Sequence, residues 1–105
     1  AYYTKGQKVR RVLQDKTREI FTHVDCILTP TTPSTAFKIG EVKDPIEMYL
    51  QDIFTVHANL TGNPAISIPV GTHSNGLPFG VQLMTDQFRE NDLFYATQLV
   101  ENITA

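Results

Sequence analysis

Residues 44–69 read Asp-Pro-x-x-Met-Tyr-x-x-Asp, a short spacer, and then Asn-x-x-Gly-x-Pro-Ala-Ile-Ser-Ile-Pro. That order leaves the backbone few choices. Asp44 is a good helix N-cap, Pro45 suits the first helical position, and Glu47 at the third completes a capping-box-like start. Tyr49, Ile53, Val56 and Leu60 recur at helical spacing and form one apolar stripe. Gly62 and Pro64 end the helix, and residues 65–70 follow as a β-type run. The pattern predicts one helix, or two with a break near His57, feeding a core strand.

The same stretch carries a lone carboxylate. On an ideal helix Asp52 lies about 60° from the centre of the stripe, on the flank it shares with Met48 and Asn59. A carboxylate at the edge of a buried stripe loses hydration and needs a cation or hydrogen-bond donors. A substrate ammonium would supply them, and so would a lysine or arginine elsewhere in the protein; spacing alone leans to the second. The Asn59 amide is a second candidate on that edge, although an interior Asn commonly ties down nearby backbone. Asn59-Leu60-Thr61 and Asn102-Ile103-Thr104 match the glycosylation acceptor pattern by chance in a chain that reads as intracellular.

The remaining residues add further helix and strand patterns but no complete chemistry. Residues 2–22 form an amphipathic pattern with Tyr2, Val9, Leu13 and Ile20 on one stripe and Val12 beside it. The opposite face holds Lys5, Lys8, Arg10, Arg11, Lys16 and Arg18. It is suited to RNA phosphates or simply to water, and Asp15 and Glu19 interrupt it in favour of water. Residues 24–28 read as a short buried strand containing Cys26, an inert core thiol. Thr29-Pro30-Thr31-Thr32-Pro33 ends it, because each proline removes a ladder donor. Such a loop either lines a ligand crevice at a strand end or is a stiff connector. Residues 65–70 and 79–84 form a hairpin around Asn75-Gly76, and residues 91–102 a last helix with Leu93, Ala96, Val100 and Ile103 on one face.

With 105 residues, 41% hydrophobic and a formal charge of −2, the chain suits a single α/β unit in which helices cover a sheet. No apolar run reaches the roughly 20 residues of a membrane span, and no secretory signal opens it. A single cysteine excludes an internal disulfide and suggests a reducing compartment. His23, His57 and His73 lack metal-site spacing. Ser34, Ser67 and Ser74 lie in no nucleophile loop, and no base is spaced beside them. Helical patterns at both ends read as those of a segment cut from a longer protein.

Several motifs together resemble a known family. They are Tyr2-Tyr3-x-Lys5-x-Gln7-Lys8-Val9-Arg10, Ile27-Leu28-Thr29-Pro30-Thr31-Thr32-Pro33, Ala36-Phe37-Lys38-Ile39-Gly40-Glu41, the Asp44 to Asp52 motif, and Gly76-Leu77-Pro78-x-Gly80-x-Gln82-Leu83. Across nearly its whole length the chain resembles the C-terminal segment of the A subunits of glutamyl-tRNA(Gln) amidotransferases, within the amidase-signature family. The resemblance implies an amidase-signature fold, a mixed sheet flanked by helices, with residues 1–105 as the C-terminal part of one domain in the order α-β-α-β-β-α. It implies glutamine hydrolysis by a serine activated through a second serine and a lysine, all preceding this segment, so that no catalytic residue is expected here. Asp52 would hold the α-amino group of glutamine. The segment itself needs no cofactor; ATP and Mg belong to a partner subunit that converts Glu-tRNA(Gln) to Gln-tRNA(Gln) with the released ammonia. The implied partners are glutamine, the other subunits of a heterotrimer, and the tRNA through the complex, in the cytoplasm and without a membrane.

The chain departs from the family pattern at His57, Thr61 and Asn63, usually proline, alanine and leucine, and at Met84-Thr85-Asp86, usually an Ile-Gly pair. These departures bear on local packing and a helix kink. Two other readings stand beside the first: the C-terminal segment of another amidase-signature amide hydrolase, or a module docking subunits or tRNA through the basic helix.

Overall fold

A long run of good helix formers, broken only by Gly6, opens the chain as α1 (Tyr2–Ile20). The computed structural model describes residues 1–104. After α1 come β1 (Ile27–Pro30), α2 (Pro45–Leu50), α3 (Val56–Thr61), β2 (Ala65–Thr72), β3 (Pro78–Met84) and α4 (Glu90–Thr104). The expected element order holds, with the central helical pattern split in two.

The three strands form an antiparallel sheet in the order β1-β3-β2. The sheet is therefore not mixed within this chain. β3 is central, and its register sets Thr29, Gln82 and Ser67 side by side across one face, while Leu28, Leu83 and Ile66 line up on the other. α4 covers the second face. Ile68, Leu83 and Leu93 are its buried centre, with Ile66, Val70, Val81, Ala96, Val100 and Cys26 packed around them. Of the expected stripe on α4, Leu93 is buried and Ala96 and Val100 pack against the core, whereas Ile103 is 82% exposed.

β1 starts three residues later than the sequence pattern suggests, and Pro30 lies inside it, opposite Val81. An edge strand tolerates proline because its donor would face away from the ladder. Cys26 accordingly sits just before the strand, partly buried against the core. The hairpin turn is closed by the His73 N–H donating to the Leu77 carbonyl at 2.8 Å, with Gly76 at φ +86°. Gly80 is required by close approach: a Cβ there would stand 2.7 Å from the Ile68 carbonyl oxygen.

The two expected apolar stripes are not buried within this chain. On α1, Tyr2, Val9, Val12 and Ile20 are exposed, and Thr17, on a neighbouring face, is buried. On the central helices Tyr49, Ile53 and Val56 are exposed, and Thr61 is buried. The molecule is a slab of 44 × 38 × 17 Å. Its surface of 7868 Å² exceeds the roughly 5,900 Å² of a folded monomer of this mass. No helix is long and apolar enough to cross a membrane among the described residues.

The tightest packing is polar. Thr17, Thr61 and Thr85 are all at or below 2% exposure. Thr17 on α1 donates its hydroxyl proton to the Leu13 carbonyl at 2.7 Å, so His57 Nε2, 2.8 Å away, must carry the hydrogen it shares with Thr17. Thr61 Oγ1 donates to the His57 carbonyl, Gln87 Nε2 to the Thr61 carbonyl, and Asn63 Nδ2 to the Thr85 carbonyl. Thr17, His57, Thr61 and Gln87 thus link α1, α3 and the β3–α4 junction in one chain of hydrogen bonds, while Asn63 and Thr85 form a separate bond between the start of β2 and the end of β3.

Candidate functional site

Asp44 accepts the Ile46 N–H at 3.0 Å through Oδ1, and with Pro45 it starts α2 as its residues dictate. α2 stops after six residues. Residues 51–55 form a turn, and α3 begins when the Val56 N–H donates to the Asp52 carbonyl at 3.1 Å. The helix ends at Gly62 in the left-handed conformation, φ +76°. The break thus precedes His57 by a few residues, and Asp52 stands on a turn rather than on the flank of a continuous helix.

Its surroundings follow from that. Asp52 is exposed, its backbone carbonyl accepts from both Thr55 and Val56, and no lysine or arginine forms a salt bridge with it among the described residues. The side chain is free to take a cation from outside. Asn59 is also exposed, but its Nδ2 donates to the Thr55 carbonyl at 3.0 Å. It ties down the turn, the commoner role of such an Asn.

Two tethers set the turn against the sheet. Gln82, 6% exposed at the centre of β3, donates through Nε2 to the Phe54 carbonyl at 2.8 Å. Ser34, in the loop after β1, stands 3.5 Å from Gln51 Oε1. That loop is held in turn by Thr31 Oγ1 against Ser67 Oγ at 2.7 Å and by Asn75 Nδ2 donating to Thr35 Oγ1 at 3.0 Å. A shallow, hydroxyl-rich cleft of about 280 Å³ opens here, between Thr31, Ser34, Thr35, Ser67 and Phe79. The Thr-Pro segment therefore lines a crevice that touches the Asp52 turn through the Ser34–Gln51 contact, while the turn itself supplies none of the lining. Gln82 stands in the Gly76–Leu83 motif, but neither motif nor spacing gives it a role; the signal for one is a glutamine amid the apolar residues of a central strand.

Other features carry less chemistry. A groove of about 560 Å³ runs along α1 between Tyr2, Arg10, Leu13 and Leu60 and likewise takes none of its lining from the turn. On the outer face of α1, Asp15 pairs with Arg11 at 3.4 Å and Arg18 at 3.9 Å, and Glu19 with Lys16 at 3.8 Å. Three of the six basic residues on that face thus pair with two carboxylates of their own helix. Ser74 Oγ lies 3.3 Å from His73 Nδ1, but that nitrogen also faces the Asn75 N–H, and both residues sit on the exposed hairpin tip. The pair closes a turn. Burial pushes the Cys26 thiol above its ordinary pKa, with Asp25 adding to the effect and a hydrogen bond with the Met84 backbone opposing it. Among the described residues no three of His, Cys, Asp and Glu group as metal ligands.

The sequence pattern of the family described as Amidase matches residues 1–94. The chain belongs to the amidase family. It is 52% identical over 101 residues to the A subunit of the glutamyl-tRNA(Gln) amidotransferase of Thermotoga maritima, a match that covers 96% of this chain and 21% of that protein. The crystal structure of a Thermotoga maritima A subunit of this enzyme superimposes with a TM-score of 0.85 at 54% identity, over 90% of this chain and 21% of that one. A 6-aminohexanoate cyclic dimer hydrolase gives 0.79 at 28% identity, over 90% and 23%. The chain spans about a fifth of the length of the curated relatives it matches. The helix and strand order is that of amidase-signature structures.

Proposed function

We propose that residues 1–105 are the C-terminal part of a single amidase domain, in the glutamine-hydrolysing subunit of a cytoplasmic, heterotrimeric amidotransferase. In that subunit Asp52 binds the α-ammonium of glutamine. A serine nucleophile, activated by a second serine and a lysine from outside this segment, attacks the side-chain amide; water then releases glutamate. The ammonia passes to a partner subunit that uses ATP and Mg to convert Glu-tRNA(Gln) to Gln-tRNA(Gln).

One observation carries the substrate reading. Asp52 is a carboxylate with no cationic partner among the described residues, on a turn pinned to the central strand by Gln82. An amino-acid ammonium matches that charge and forms charge-assisted hydrogen bonds with it. The 52% identity to an amidotransferase A subunit supports the wider reaction.

The test is steady-state glutamine hydrolysis by the full-length subunit in its complex. Asp52→Ala should lower kcat/KM for glutamine roughly tenfold to hundredfold, mainly through KM, and Asp52→Glu should recover part of it. The likeness to the cyclic dimer hydrolase keeps a second reading, hydrolysis of amides in general. Under that reading Asp52→Ala would leave kcat/KM unchanged for glutamine as well as for amides without an amino group.

A further inference from the structure

We infer that Gln82 is the positioning residue for Asp52, an inference that rests on the ammonium-binding reading above. Gln82 lies on the central strand with Thr29 and Ser67 as cross-strand neighbours on its face. Strand pairing consumes its backbone groups, so the buried side-chain amide is the one group here able to reach off the sheet. Its Nε2 reaches the Phe54 carbonyl at 2.8 Å and the Thr29 hydroxyl at 3.5 Å. Only the NH₂ end can donate to a carbonyl, which settles the orientation of the amide.

Phe54 sits in the middle of the link between α2 and α3, two residues beyond Asp52. The Asp52 carbonyl accepts the Thr55 and Val56 N–H groups in the same link. The chain between the two helices is therefore closed into a small unit by its own hydrogen bonds, and Gln82 anchors that unit to the central strand of the sheet. Both flanking helices are only six residues long, too short to hold an intervening turn by themselves. Without the Gln82 amide, the link keeps its own hydrogen bonds, the Asn59 bond to Thr55 and the exposed contact of Ser34 with Gln51, none of which anchors it to the sheet. A pre-set carboxylate holds an ammonium without first having to order its own turn.

The experiment is a double-mutant cycle on glutamine hydrolysis by the full-length subunit in its complex. Gln82→Met keeps the side-chain shape and removes the donor. It should raise KM for glutamine roughly fivefold to tenfold and change kcat less than about twofold. In an Asp52→Ala background the same substitution should change KM by less than about twofold, because the group it aims is gone. If Gln82→Met fails to fold, Gln82→Asn keeps a neutral amide but shortens its reach by one methylene, loses the bond to Phe54, and is read in the same way. An unchanged KM, or an equal rise in both backgrounds, overturns the positioning role while leaving the Asp52 reading intact. An unchanged KM in Asp52→Ala alone overturns that reading and this inference with it.

Discussion

Each residue in the site owes its place to a neighbour's hydrogen-bond demand. Thr17 gives its proton to Leu13 and must take one from His57, so removing the hydroxyl strands a partly buried imidazole N–H. Thr17→Val should lower the unfolding free energy of the full-length subunit by about 1–2 kcal/mol, read from its denaturant midpoint, while glutamine KM stays unchanged. Cys26 gives a second prediction at this scale. Its pKa is raised by burial, so less thiolate is present at mildly alkaline pH than on an unstructured peptide. Alkylation of the Cys26 peptide, followed by mass spectrometry, should be slower in native than in denatured protein and should accelerate as pH rises. The thiol form is the one the fold favours, so this contribution to stability is complete below the ordinary cysteine pKa and is lost as pH climbs through the raised one.

At the scale of elements, local chemistry decided what could be foreseen. Asp44, Pro45 and Gly62 announced the start of α2 and the end of α3, because caps and left-handed stops are written in single residues. Asn75-Gly76 announced the hairpin in the same way. The turn at residues 51–55 left no such mark, since Gln51, Ile53 and Phe54 are ordinary helix residues; its tether is a tertiary bond from Gln82, 28 positions further along the chain. Pro30 misled for a related reason: whether a proline ends a strand depends on which side of the sheet edge it faces. Gly80→Ala tests the hairpin directly. A Cβ placed 2.7 Å from the Ile68 oxygen must part β2 from β3, and a loss of about 1–3 kcal/mol or failure to fold is expected. Normal stability in that variant would show the strands to be less closely paired. On α1, the internal pairs of Asp15 and Glu19 predict that charge reversal at Arg11 and Arg18 leaves glutaminase activity intact and tRNA affinity within about twofold.

For the whole molecule, the decisive fact is how little it buries. Ile68, Leu83, Met84 and Leu93 are its only buried apolar side chains among the described residues, while Tyr49, Ile53, Val56, Leu28 and many others lie open. Periodicity located these stripes along the chain but carries no information on how much of each the chain itself buries. A radius of gyration of 15.8 Å, against roughly 13 Å for a compact domain of this length, expresses the same deficit. The isolated 105-residue chain should accordingly bind a hydrophobic dye and release no ammonia from glutamine. The most direct trial of the substrate reading is a crystal structure of the full-length subunit with glutamine bound. An Asp52 carboxylate oxygen should stand within about 3 Å of the glutamine α-nitrogen; an Asp52 paired instead with a lysine or arginine of the protein, with the α-nitrogen held elsewhere, would contradict it.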